Sequence, residues 1–373
     1  MNENYVTLGQ VCDKGSSNIA QKDLAEREGQ YPIYGAAGLI KNVDFAHQKQ
    51  PYIAVVKDGA GIGRVMKLPA YSSVIGTMQY IFPKENVDID YLFYALQHMN
   101  LGKYFSGSTI PHIYFRDYQK ERLKLPVMEV QQRQADTLSR IDALSAYGQR
   151  QIALMDEIVK SRFVEMFGDR NYPHTALINL IKDGMGLSYG IVQPGDDGTG
   201  EMGVLRPVDM ADGKISMASI KYIDRSIGDG FRKTELTGDE LLITVRGTTG
   251  VTALTDIRFA GMNVTRGIAV IRYDREKINP VYLNAYLNTD ESQRYIQEHT
   301  RGATLQQINL SDLRVQEVVV PPTNLQNCFA AFVAEVDKSK FRIQKTLSTS
   351  RKLWTMDQID AIMNMDFSTQ RSL

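Results

Sequence analysis

SGSTIPHIYFRDYQKERLKLPVMEVQQRQADTLSRIDALS (106–145) and RGATLQQINLSDLRVQEVVVPPTNLQNCFAAFVAEVDKSK (301–340) are one stretch written twice. At a constant offset of 195, Gly107 falls on Gly302, Thr109 on Thr304, Ile113 on Ile308 and Asp117 on Asp312. The same register pairs Pro126 with Pro321, Gln131 with Gln326 and Asp142 with Asp337, and it needs no gap. Identities are modest, but the apolar positions also keep phase. Each copy reads as a small-residue loop, a short strand-like run ending in proline, and a long helix. The chain is therefore two half-molecules, and its function needs two of something.

Length and composition set the frame around this duplication. At 373 residues the chain exceeds one ordinary core and suits two domains with connecting elements. A hydrophobic fraction of 43% and a charged fraction of 23% belong to a globular chain, not a disordered one. The sequence holds no apolar run of membrane-spanning length, and MNENYVTLGQ lacks the pattern of a secretory signal. Cys12 and Cys328 have no metal-type spacing and read as two buried thiols in a reducing, cytoplasmic setting. Lys+Arg equals Asp+Glu, which argues mildly against a lone nucleic-acid binder, or for a protein that shares phosphate contacts with partners.

Taken in order, residues 1–126 form a first globular block. Tyr5–Gly9 with Val11 and Cys12 predicts a strand or a short helix, and Tyr52–Lys57 a strand closed by the turn at Asp58-Gly59. Gly61–Leu68 predicts the returning strand, Tyr80–Phe82 another, and Asp88–Asn100 a helix with Asp at its N-cap. Residues 169–321 repeat that order: a strand at Glu240–Val245, a turn over Arg246–Gly250, a strand at Val251–Leu254, another at Gly267–Ile271, and a helix at Pro280–Asn288. The edges of the two blocks match in sequence while their middles differ.

A long helix follows each block, over 127–168 and 322–366, with a short tail at 367–373. In the first, Leu138, Ile141, Ile152, Met155 and Val159 occupy heptad core positions, with Ser145, Gly148 and Arg162 as weak members. Val333, Val336, Ile343, Leu347 and Trp354 carry the same phase in the second. Glu129–Arg133, Asp136–Arg140 and Asp156–Lys160 predict ion pairs one turn apart. A helix of about 40 residues rises roughly 60 Å and needs a partner along its length. The two helices are natural partners, packed antiparallel with a block at each end and a pseudo-twofold axis between. Gly148 either kinks the first helix or lets the second approach closely.

Catalytic signatures are missing from the sequence. No phosphate loop occurs, and Asp58–Gly63 leads into a strand rather than a helix, so it reads as a hairpin turn. Nor is there the Asn/Asp-Pro-Pro-aromatic motif of an amino-methyltransferase. The five histidines are scattered without ligand spacing, and Asp196-Asp197 lacks the alternating oxygens of a calcium loop.

Binding is the remaining reading, because cations and small polar residues gather on the turns. The first block offers Lys57, Arg64 and Lys67; the second offers Arg206, Arg232, Arg246, Thr248 and Arg266, with Arg225 and Lys233 nearby. Arginine suits guanine and phosphate, and the amides suit adenine. The duplicated loop adds Ser108, Thr109, His112, Tyr114 and Arg116 in one copy, and Arg301, Thr304, Gln306, Gln307 and Asn309 in the other. One backbone with two sets of side chains is what two readers of different sequences need. A scaffold that pairs proteins through its long helices, or an enzyme without a familiar motif, are the competing classes.

Two variable blocks, each closed by a Gly-Ser/Ala-Thr-Ile/Leu-x-x-Ile loop, a Leu-Pro or Val-Pro strand end and a long helix containing Gln, resemble the specificity subunit of type I restriction–modification enzymes. Residues 29–40 and 52–65 look like target-recognition sequences of that family; Thr323–Asn327 departs from its usual acidic helix start. The resemblance implies an α+β chain with two target-recognition domains, each reading half of a bipartite double-stranded DNA site, and a helix pair that sets the spacer. It also implies two methyltransferase subunits on the helices and restriction subunits around that core. S-adenosylmethionine, Mg and ATP would sit on those partners, with no cofactor and no catalytic residue in this chain. The specificity subunit of a related two-subunit restriction–modification enzyme fits the same features.

Overall fold

The computed structural model describes residues 5–107, 110–168, 171–193, 195, 200–211, 213–303 and 305–352. The chain folds into two compact units, residues 1–150 with 343–373, and residues 151–342. Helices and sheets are mixed in both.

In the first unit, β1 (Tyr5–Thr7) leads into the short helix α1 (Leu8–Val11), so both readings of this segment hold in succession. A four-stranded antiparallel sheet follows, built from β2 (Cys12–Ser16), β5 (Tyr52–Val56), β6 (Val65–Leu68) and β8 (Met78–Pro83) in the order β2-β8-β5-β6. Beside it, β3 (Tyr31–Gly35) pairs antiparallel with β4 (Gly38–Val43) and parallel with β7 (Ser73–Val74). The five residues of β5 are all buried because both faces are covered. Ile53 and Val55 pack toward α2 (Ile89–His98), while Tyr52, Ala54 and Val56 pack among residues of the smaller sheet. Burying each such Ile or Val contributes about 1.5–3 kcal/mol. Asp88 caps α2 by accepting from the main-chain N–H groups of Asp90 and Tyr91, both at 2.9 Å. The short helix α3 (Phe115–Tyr118) and β9 (Arg122–Lys124), which pairs with β1, close the block.

The helix α4 (Met128–Phe167) then runs for 40 residues. Its start is fixed to the first block by Gln131, which is 1% exposed. The Gln131 amide donates to the carbonyls of Asn86 (3.0 Å) and Pro126 (2.8 Å) and accepts from Asp88 N–H (2.9 Å).

The second unit repeats this wiring. β10 (His174–Ala176) opens it, and β11 (Ser188–Tyr189) is an outer strand of a four-stranded sheet. A smaller sheet uses β12 (Met202–Leu205), with a two-stranded hairpin of β13 (Met210–Ala211) and β14 (Lys214–Ile215) after it. Next come β15 (Lys221–Ile223), α5 (Arg225–Gly228), β16 (Leu241–Arg246), β17 (Thr248–Leu254), β18 (Asn263–Val264) and β19 (Ile268–Ile271). The main sheet has the order β11-β19-β16-β17, strand for strand the order of the first unit. β12 pairs antiparallel with β15 and parallel with β18, again the same arrangement. The helices α6 (Pro280–Leu287), α7 (Asp290–His299) and α8 (Leu310–Val315) follow, then β20 (Glu317–Val319), which pairs with β10. In the first turn of the helix α9 (Thr323–Lys352) stands Gln326, which is 0% exposed. Gln326 donates to Pro321 O (2.7 Å) and accepts from Asn279 N–H (2.8 Å), as Gln131 does with Pro126 and Asp88.

Contacts between the long helices occur inside each unit. In the first, Gly148 sits so close to Leu347 that an added Cβ would lie 2.7 Å from Leu347 Cδ2. Close approach is thus what the glycine permits. In the second unit, Phe163 stacks edge-on against Phe329 at 5.4 Å and Lys340 donates to Asp156 at 2.5 Å. Leu138 is buried, while Ile141, Ile152, Met155, Val159, Val333, Val336, Ile343 and Leu347 are half-buried; Trp354 lies outside the described residues. Glu129–Arg133 and Asp136–Arg140 form the expected pairs. Asp156 instead takes Lys340, whose side chain is 14% exposed and meets this carboxylate along the facing helix. The cysteines also differ from expectation: Cys12 is buried, but Cys328 lies on the outer face of α9 and is exposed.

Candidate nucleic-acid interface

In each unit the duplicated loop is clipped to the end of the central strand. Ser106 and His112 exchange both main-chain hydrogen bonds at 2.9 Å, closing the loop on itself. Gly59 N–H then donates to Pro111 O and Ile113 N–H to Lys57 O, both at 2.9 Å, tying the loop to the chain just after β5. In the second unit Arg301 and Gln307 exchange the same two bonds at 2.8 Å. Gly247 N–H donates to Gln306 O (2.8 Å) and Ile308 N–H to Val245 O (3.0 Å), at the end of β16.

Glycine is required where the loop reverses. Gly107 and Gly302 have φ of +98° and +101°, and a Cβ would lie 2.7 Å from Ile110 O or 2.3 Å from Leu305 O. At their described positions the two loops therefore share a backbone, and the side chains on it differ.

The first unit brings Lys57, His112, Tyr114 and Arg116 together. Arg116 lies over the exposed Tyr114 ring at 4.7 Å, and His112 meets that ring edge-on at 5.2 Å. Lys57 pairs with Asp58, and Arg64 donates to Ala36 O at 2.7 Å from an exposed position. Lys67 is drawn away by an ion pair to Asp90 at the start of α2. Ser108 and Thr109 lie outside the described residues. A serine, a histidine and an aspartate do meet here, yet the Ser106 hydroxyl bonds His112 O rather than the ring. The pattern is not that of an activated nucleophile.

The second unit brings Arg246, Thr248, Arg301, Gln306 and Gln307 together. Thr248 is exposed and pairs with Arg246 across the tight turn at Gly247. Arg301 is 70% exposed and 3.6 Å from Asp312. Asn309 stands just before α8 and lines a shallow cleft with Tyr189 and Arg314. Thr304 lies outside the described residues. Arg206, Arg225 and Arg232 are each committed to a carboxylate. Arg206 makes two bonds at 3.1 Å to the buried Asp209 carboxylate, which also accepts from Ser219. Burial pushes the Asp209 carboxyl up, but the bonds from Arg206 and Ser219 outweigh it and hold the group below the usual range. Arg232 pairs with Asp229 and Arg225 with Glu235, while Arg266 is exposed.

Ser106 and Asp58 were not among the residues singled out from sequence, although both flank the clip. The loops align at an offset of 195, but Asp58-Gly59 matches Arg246-Gly247 at 188. That shift of seven hides the correspondence from any single-register comparison. The two glycines at positive φ, +91° at Gly59 and +85° at Gly247, were the available signal.

Both halves thus carry the same clip. The family described as type I restriction modification DNA specificity domain matches residues 2–154 and 206–350. The chain belongs to this family. A type I restriction enzyme EcoBI specificity subunit of Escherichia coli is 26% identical over 159 residues, 42% of this chain and 33% of that protein. A putative type I restriction enzyme MjaX specificity subunit of Methanocaldococcus jannaschii is 22% identical over 286 residues, 70% of this chain and 66% of that protein. The matches thus span about a third to two thirds of the length of these relatives. Among solved structures, an S subunit of a type I restriction-modification system from M. genitalium has a TM-score of 0.60 at 15% identity, covering 98% of both chains. At that identity the likeness establishes the fold. Among the described residues no helix is long and apolar enough to cross a membrane, and no three His, Cys, Asp or Glu side chains gather as a metal site.

Proposed function

We propose that this chain is the non-catalytic specificity subunit of a type I restriction–modification complex, with each unit reading one half of a bipartite duplex DNA site. The observation that carries the reading is the family match over both halves, joined to the same loop clip at the end of each central strand. The long helices act as the spacer. The contacts of Phe163 with Phe329 and of Asp156 with Lys340 support an antiparallel coiled coil, as a pseudo-twofold arrangement of two readers requires. A helix of about 60 Å bounds the spacer at roughly 18 base pairs.

Two methyltransferase subunits seat on these helices and restriction subunits join them, in the cytoplasm. The methyl donor S-adenosylmethionine, Mg and ATP belong to those partners, which supply the adenine methyltransferase and endonuclease activities. Shared phosphate contacts with such partners account for the neutral charge of the chain. Mapping methylated adenine in the host genome tests the reading. A bipartite, asymmetric motif should vanish when this gene is deleted; unchanged methylation would overturn it.

A further inference from the structure

We propose that a single row of three side chains in each unit selects bases in its half-site: Ser106, His112 and Asp58 in the first, Arg301, Gln307 and Arg246 in the second. This deepens, and rests on, the function proposed above. The row follows from register. His112 pairs antiparallel with Ser106 on one side and with Asp58 on the other. Gln307 pairs with Arg301 and with Arg246 in the same way. Directly opposed residues in antiparallel pairs project to one face, with Cβ atoms roughly 4.5–5.5 Å apart.

That face points away from the core. Side chains alternate along an extended segment, and the next residue, Ile113 or Ile308, is 1% or 0% exposed within the core of its unit. His112 and Gln307 therefore face outward, half-exposed, with Ser106 and Arg301 exposed beside them. Three neighbouring positions about 4.8 Å apart span roughly 10 Å, which fits a major groove about 12 Å wide.

The chemistry of the two rows is opposite. Arg246 and Arg301 offer guanidinium forks suited to guanine O6 and N7, and Gln307 offers the donor and acceptor that match adenine N6 and N7. In the first row the Asp58 carboxylate, paired with Lys57, only accepts, so it suits an exocyclic amine such as cytosine N4 and offers phosphate no donor. A side chain with no donor for phosphate, at the same backbone position where the other unit holds arginine, is unsuited to a generic backbone clamp. Base choice then resides in six side chains on a shared frame.

The test is selection of duplexes from a random pool by the full-length chain assembled with the methyltransferase subunits of its host. Arg246→Ala and Gln307→Ala should each relax discrimination at one base pair of one half-site by roughly 5- to 150-fold, leaving the other half-site intact. Asp58→Asn should relax the opposite half-site. Gln307→Glu, which keeps the side-chain volume, should change the preferred base rather than abolish binding, and this covers the case of a truncation that fails to fold. A wild-type complex without sequence preference would remove the proposed function itself. A wild-type bipartite preference that survives all four substitutions, or loses affinity evenly over every sequence, would overturn the row while leaving that function standing.

Discussion

Replacing Gln326 by methionine removes the side chain that fastens α9 to the second unit. Its amide donates to Pro321 O at 2.7 Å and accepts from Asn279 N–H at 2.8 Å, with the residue 0% exposed. Methionine fills a similar volume but leaves a carbonyl and an N–H without partners away from water. Each stranded group costs about 1–3 kcal/mol, offset in part by the apolar surface that methionine buries, so a net loss of about 2–4 kcal/mol is expected. For a unit of this size that is a fall of roughly 5–15 °C in Tm. Gln131→Met should do the same to the first unit, where three bonds are lost. Gln132→Met, one residue along on the exposed face of α4, should stay within about 0.5 kcal/mol of wild type. Calorimetry and urea denaturation of the full chain provide the measurement. If both buried variants melt with the Gln132 control, the buried amides do not fasten the helices and the argument fails.

Three further outcomes follow from particular contacts. Because the Asp209 carboxyl is held below its usual range, its contribution is present above an ordinary aspartate pKa of about 3.9 and is lost as pH falls through the lower folded value. The stability gap between wild type and Asp209→Asn should therefore be constant from about pH 5 to 8 and narrow below about pH 4; a gap that ignores pH would refute the assignment. Gly148→Ala gains about 1 kcal/mol of helix propensity but drives a Cβ to 2.7 Å from Leu347 Cδ2, so a net loss is expected in wild type and a net gain in a Leu347→Ala background. A double-mutant cycle by urea denaturation reads that reversal, and the same sign in both backgrounds counts against close packing. Burial, aided by Asp13, pushes the Cys12 thiol up to about 12 while Cys328 is exposed. A disulfide reagent should accordingly label Cys328 quickly in the native chain and Cys12 only in denaturant.

The helices and the central strands were legible because their signals are local. The continuous apolar run that begins at Tyr52, the Asp88 cap, and heptad phase along α4 each involve neighbours in sequence. The partner of Asp156 was misjudged for the converse reason. Lys160 is one turn away in sequence, but Lys340, 184 residues distant, reaches the carboxylate in the fold. Cys328 was misplaced because an apolar neighbourhood in sequence does not say which face of α9 a residue occupies. Arg206 looked like any other turn cation until the structure committed its guanidinium to a buried carboxylate.

By itself the sequence determined that this protein is double. Gly107 and Gly302, Gln131 and Gln326, and Pro126 and Pro321 recur at one offset because the same backbone reversal and the same buried amide are needed twice. Only the tertiary structure decided what faces what across each loop. The Asp58–His112 and Arg246–Gln307 pairings join segments more than fifty residues apart, and hydrogen bonds between main chains set their register without regard to the side chains they carry. That indifference lets one frame hold two chemistries, and it is also why a linear comparison passes over them.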